Sequence, residues 1–185
     1  MKNKEEIFKT LTIVLLLDQI VKLIICQKMK VNQLITIIPK FFSLFYVKNT
    51  GAAFSILKNN TSLIVIISCI VLSIIDWYIK QNRQFSKIEK LALGLMTGGI
   101  VGNLIDRVLH HAVIDYFYFQ FGSYDFPIFN IADIAITVGV TLMIVDMFMD
   151  KKEEKKQNPI KLIKIEETKP KKNKKKKKES TKWVQ

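Results

Sequence analysis

The chain has 185 residues, 49% of them hydrophobic, and a formal net charge of +13 at pH 7. Its apolar side chains are gathered into four runs long enough to cross a bilayer, which excludes an ordinary soluble globular core. The charge is equally uneven: residues 151–185 hold fifteen lysines and five glutamates, ten of the thirteen net positive charges, so the basic balance says little about residues 1–150.

The first run, residues 7–25, carries Asp18 and Lys22 near its far end. Lys2, Lys4 and Lys9 precede its apolar stretch and Cys26 follows, but Ile24 and Ile25 are too bulky for signal cleavage, so the run reads as a span and not as a removed leader. Residues 34–47 are β-branched and aromatic with a break at Pro39, which predicts two short strands before a turn at Asn49, Thr50 and Gly51. The second run, residues 62–79, is β-branched, which a helix tolerates in lipid because the backbone there must satisfy its own hydrogen bonds. Cys69 in its middle reads as a small packed hydrophobe, and two cysteines so placed imply neither a disulfide framework nor a metal site. The third run, residues 88–108, holds Gly94, Gly98, Gly99 and Gly102, small residues that let helices approach closely. The aromatics between Tyr116 and Phe126 suit the boundary of lipid and water. The fourth run, residues 131–149, has Asn130 as its N-cap and Asp133 three positions later. The expected fold is an all-α membrane protein of four transmembrane helices with a small extracytoplasmic β-containing loop region. Residues 1–150 form its domain, and residues 151–185 a disordered cytoplasmic tail that at most touches anionic lipid head groups.

Lys80, Arg83, Lys87 and Lys90 in the second connection and the lysines of the tail predict cytoplasmic positions, whereas residues 110–129 hold no lysine or arginine. Both termini are therefore expected in the cytoplasm, with loops 27–61 and 109–130 outside. Lys28, Lys30, Lys40, Lys48 and Lys58 in the first outside loop run against this trend. Depth then sorts the polar groups, since carboxylates in spans are costly. Asp76 and Asp146 fall near the cytoplasmic ends, where they can reach water, and receive no chemistry. Asp18, Asn103, Asp106, Arg107, Asp115 and Asp133 gather near the outer ends of three helices and in one loop, a convergence that an active site requires. Each also has a structural reading: an Asp106–Arg107 ion pair, a cap at Asn130, a dipole partner at Asp133, a loop acid at Asp115, and an interhelical hydrogen bond at Asp18.

Four segments, DQIVK at 18–22, NTGAAF at 49–54, GNLIDR at 102–107 and FNIAD at 129–133, with VIDYF at 113–117, resemble the motifs of the lipoprotein signal peptidase family in the family's order. The resemblance implies a bacterial aspartyl peptidase of the cytoplasmic membrane, acting near its outer face. Its substrates would be diacylglyceryl-modified prolipoproteins, cut just before the lipidated cysteine. It implies Asp115 and Asp133 as catalytic dyad and Asn49, Gly51, Asn103, Asp106, Arg107, Asn130 and Ala132 as supporting positions, with Asp18 and Lys22 a structural pair. The long lysine tail departs from the family's short end. Two carboxylates sharing a site suit peptide hydrolysis, one ionised to take a proton from water and one protonated to donate. Neither a cofactor nor a metal is implied, and His110 and His111 read as loop neighbours. The alternative is a small proton-coupled transporter, but the middles of the second and fourth helices offer only hydroxyls and Cys69. A membrane-tethered nucleic-acid binder would rest on tail composition alone, and no nucleic-acid partner is expected.

Overall fold

The computed structural model describes residues 2–51, 60–81 and 84–157. Four helices, α1 (Lys2–Lys28), α2 (Thr61–Lys80), α3 (Lys87–His110) and α4 (Ile131–Gln157), form around the four apolar runs. All four are long and apolar enough to cross a membrane. The α4 helix continues beyond the expected end at Met149, because Lys and Glu are good helix formers and no breaker precedes Pro159. The chain divides into two compact units, Met1–Asp146 and Met147–Gln185. In the second unit the helix runs as far as Gln157, and the expected disorder of the tail concerns residues largely outside those described.

Within the first unit, all-α proves too narrow a class. Strands β1 (Leu34–Ile38), β2 (Phe42–Asn49), β3 (Val113–Phe121) and β4 (Tyr124–Asp125) form an antiparallel sheet in the order β1-β2-β3-β4. The first two lie where the break at Pro39 predicts them. The other two occupy the aromatic loop, where the run from Val113 to Phe121 is apolar on both faces and so hides the period of two. Its rings pack on β2 and on the segment before α4, Phe42 on Phe119 at 4.8 Å and Phe119 on Phe129 at 5.9 Å between centroids. A register shift between Leu44 and Val47 brings Val47 opposite Asp115 and Asn49 opposite Val113.

Beneath the sheet, Ile25, Met29, Tyr46, Ile114 and Tyr116 form one core cluster, while Ile7, Ile75, Phe85 and Leu93 form another toward the opposite end of the helices. Many large apolar residues instead face outward, among them Leu16, Ile20, Ile66, Ile70 and Trp77, as expected where the surroundings are hydrocarbon. Cys69 is among the outward-facing residues and does not pack inside. Asp76 pairs with Lys80 at 2.5 Å in exposed positions. Asp146 is the surprise at this end. It is buried and accepts a 2.6 Å hydrogen bond from Ser86 Oγ, whose backbone and side chain also form a capping box with Glu89 at the start of α3. The expectation that Asp146 reaches water is therefore corrected: the side chain is buried, with Ser86 at the N-cap of α3 bonded to it.

Helix contact is closest along the glycines of α3. A Cβ on Gly99 would lie 2.5 Å from the Ala132 carbonyl oxygen, and one on Gly102 would lie 2.5 Å from Asp18 Oδ2. Because the Gly99 neighbour is backbone, Gly99→Ala has to push α3 and α4 apart, an overpacking cost of about 1–3 kcal/mol. Thermal unfolding in detergent should show a lowered midpoint, and an unchanged midpoint would contradict the close approach.

Candidate active site

The site forms where the sheet meets the ends of α1, α3 and α4. Asp115 enters from β3 and is buried. Its Oδ2 accepts from Asn49 Nδ2 at 2.9 Å and its Oδ1 from Asn130 Nδ2 at 2.7 Å. Asp133 enters from the first turn of α4 and is half-buried. Its Oδ1 accepts from Asn103 Nδ2 at 2.8 Å, and its Oδ2 from the Asn130 backbone N–H at 3.2 Å. The Asp133 N–H in turn donates to Asn130 Oδ1 at 3.0 Å. Asn130 is thus the N-cap of α4 in a reciprocal capping arrangement, and its side chain amide reaches onward to Asp115. One fully buried asparagine holds both carboxylates.

A second layer of charge lies behind them. Lys22 Nζ is 2.8 Å from Asp18 Oδ2 and 2.8 Å from Asp106 Oδ2, and it donates to Asn103 Oδ1 at 3.0 Å. Asp18 Oδ1 accepts the Ala132 N–H at 3.0 Å, one of the donors that the start of α4 leaves without a partner in its own helix. Asp106 Oδ2 accepts the Ile114 N–H at 3.1 Å, which ties α3 to the strand that carries Asp115. The expected ion pair between Asp106 and Arg107 does not form. Neighbours on a helix point about 100° apart. Asp106 therefore faces Lys22, while Arg107 donates to the carbonyls of Asn103 at 3.3 Å and Gly51 at 3.0 Å. The Gly51 N–H closes a turn on Asn49 Oδ1 at 2.9 Å, which orients the Asn49 amide toward Asp115.

Every residue singled out at the outer ends from sequence thus falls in one connected set. Gln19 belongs to it as well and was missed: its Nε2 donates to Asp106 Oδ1 at 3.1 Å and to the Gly102 carbonyl at 3.3 Å. The signal was its place between Asp18 and Lys22, but a neutral side chain draws no notice when carboxylates are being sorted. Tyr116 is fully buried against the same set, and its position after Asp115 was read only as an interfacial aromatic. His110 ends α3 and His111 is its left-handed C-cap, both exposed.

Asp115 and Asp133 open on a groove of about 360 Å³, lined on its polar side by Asn49, Asn103 and Arg107 and elsewhere by apolar residues such as Ile100, Val113, Phe126 and Ile136. Another hollow, about 490 Å³, follows α2 from Val65 to Trp77 and holds no carboxylate. Burial pushes the Asp115 carboxyl up to about 7, with the charge of Asp133 acting in the same direction and the amides of Asn49 and Asn130 opposing it. Burial thus favours the protonated form of Asp115, next to a second acid bound by two N–H donors. An apolar groove lined by this pair is suited to acid and base work on an extended backbone.

The sequence profile described as Signal peptidase (SPase) II matches residues 10–149. The lipoprotein signal peptidase of Listeria monocytogenes serotype 4a (strain HCC23) is 39% identical over 142 residues, 77% of this chain and 92% of that protein. The lipoprotein signal peptidase of Symbiobacterium thermophilum is 39% identical over 137 residues, 74% of this chain and 90% of that one. Among solved structures, a bacterial membrane enzyme determined by the in meso method at 2.3 Å resolution superposes with a TM-score of 0.74 at 34% identity, covering 80% of this chain and 90% of that chain. The chain belongs to the signal peptidase II family.

Proposed function

We propose that Asp115 and Asp133 are the catalytic dyad with which this membrane aspartic peptidase removes signal peptides from prolipoproteins, cutting before the diacylglyceryl-modified cysteine. The bridge through Asn130, side chain to Asp115 and backbone to Asp133, is the observation that carries this reading. Asp133 lies at the positive end of α4 and accepts two N–H donors, a setting that suits the ionised partner. Asp115, with its raised affinity for protons, is the acid. Asp133 takes a proton from the attacking water while Asp115 protonates the carbonyl oxygen, giving a neutral tetrahedral diol. Collapse of the diol breaks the C–N bond, with Asp133 giving its proton to the leaving amine and Asp115 recovering one from the hydroxyl. Asn49, Asn103 and Arg107 line the groove beside the dyad, where they can hold backbone groups of the substrate.

The proton on Asp115 sets a pH dependence. As pH rises through about 7 that proton is lost and release of signal peptide falls. Removing the Asn49 amide, which favours the ionised carboxylate, should raise the Asp115 affinity for protons further. Asn49→Leu is therefore expected to move the alkaline limb to higher pH, and a limb that stays or moves to lower pH would count against Asp115 as the acid.

The charge pattern supports a topology with both termini in the cytoplasm and loops 27–61 and 109–130 outside. Residues 1–150 then make up the peptidase domain, and residues 151–185 a cytoplasmic tail adding no catalytic group. With Cys26 and Cys69 replaced by serine, an impermeant thiol reagent should label Ser123→Cys from outside and leave Gln84→Cys unlabelled. Both positions are exposed, so the reverse pattern would invert the orientation. The family match supports the peptidase and gives no support to the proton-coupled transporter.

A further inference from the structure

Between Asp18 and Asp76 the sequence has no aspartate or glutamate but six lysines, of which Lys28, Lys30 and Lys40 bracket β1. All three are exposed, and none forms an ion pair among the described residues. Strand β1 is the edge of the sheet, and its burial is unusual in that every residue is exposed on both faces. Leu34, Ile35, Ile37, Ile38 and the adjoining Phe41 are each between 37% and 52% exposed. An unprotected apolar edge of this kind invites another surface to cover it. Chain connectivity limits what that surface is. The α1 span ends at Lys28 and only five residues separate it from Leu34, so β1 begins within roughly 20 Å of the span's end. The head-group layer lies within that reach.

We propose that the hairpin β1–β2 is seated in the bilayer interface, with Ile35, Ile37 and Phe41 among the upper acyl chains and Lys28, Lys30 and Lys40 on the head groups of anionic phospholipid. This accounts for lysines on a side where charge bias alone disfavours them, and their uncompensated charge complements phosphate and not a second, equally basic copy of the same strand. The inference rests on the helices spanning a membrane and is independent of the dyad. Because β2 carries Asn49 and pairs with β3, the seat also holds the strands that bear Asp115 and its amide partner.

The test reads lipid contact and not turnover. Ile37→Trp is placed in the full chain with Trp77 and Trp183 changed to Phe, and the protein is reconstituted in vesicles containing brominated phosphatidylglycerol or, at the same low mole fraction, brominated phosphatidylcholine. Both should quench the fluorescence of the single introduced indole, with the anionic lipid severalfold more effective, since one interfacial lysine enriches anionic lipid by roughly fivefold. The combined Lys28→Gln, Lys30→Gln and Lys40→Gln variant should lose the anionic excess and keep quenching by phosphatidylcholine. If the triple variant fails to reconstitute, Lys40→Gln alone should show a partial loss. Equal quenching by the two lipids, or an anionic excess that survives the lysine changes, overturns the head-group assignment. Absence of quenching by either lipid overturns the seat itself and points to a second copy as the cover.

Discussion

Asp115→Asn and Asp133→Asn are each expected to lower signal-peptide release by at least about 10²-fold, measured as cleavage of a lipidated prolipoprotein by purified protein. An amide can neither take the proton of the attacking water nor supply one to the carbonyl oxygen, so the loss falls on the chemical step. Both side chains are acceptors of amide and backbone N–H donors, and an asparagine can keep one acceptor oxygen in place. Folding should therefore survive. Since the two acids act as one unit, the double variant should be little worse than either single one. Asp76→Asn, in an exposed ion pair, should remain active, as should Asp146→Asn, whose amide oxygen can still accept from Ser86. Full activity in either dyad variant would remove the basis for the mechanism.

The largest expected loss of stability comes from Lys22→Met. Lys22 is buried between two carboxylates that are themselves buried, Asp18 and Asp106, and its removal leaves both without a cation at contact distance. Breaking a buried ion pair by deleting one partner costs about 3–5 kcal/mol. That is a large share of the stability of a small domain. Thermal unfolding in detergent should show a midpoint far below those of the Asp115 and Asp133 variants. Adding Asp18→Asn and Asp106→Asn to Lys22→Met should recover part of the loss, because the stranded charges are then gone. Asp106→Asn alone should also destabilise, through Lys22 and the Ile114 N–H and not through Arg107. A Lys22→Met protein as stable as the parent would show that the buried triad holds nothing together.

The four spans were legible because a helix in lipid needs about twenty apolar residues in a row, and nothing else in the chain resembles that. The first hairpin was legible through Pro39. Strand β3 was not, since Val113, Tyr116, Phe117, Phe119 and Phe121 make both of its faces apolar and erase alternation. The site residues could be sorted because Asp18, Asp106, Asp115 and Asp133 lie at one end of the spans, but their pairing could not. Adjacent Asp106 and Arg107 look like partners in sequence and point apart on a helix, whereas Lys22, distant in sequence, closes on Asp106 only when α1 packs on the glycines of α3. Asp146 shows the same limit in reverse. Its place near a helix end suggested water, yet in the fold it is buried and bonded to Ser86, sixty residues away in sequence.

The most direct test of the account is mass spectrometry of the products after the purified, full-length protein is incubated with a diacylglyceryl-modified prolipoprotein and, in parallel, with its unlipidated precursor. The expected products are an intact signal peptide and a mature protein whose first residue is the lipidated cysteine with a free amine, formed by the parent protein and absent with the Asp115→Asn, Asp133→Asn double variant. Cleavage at that bond by the folded double variant, or none by the folded parent, would contradict it.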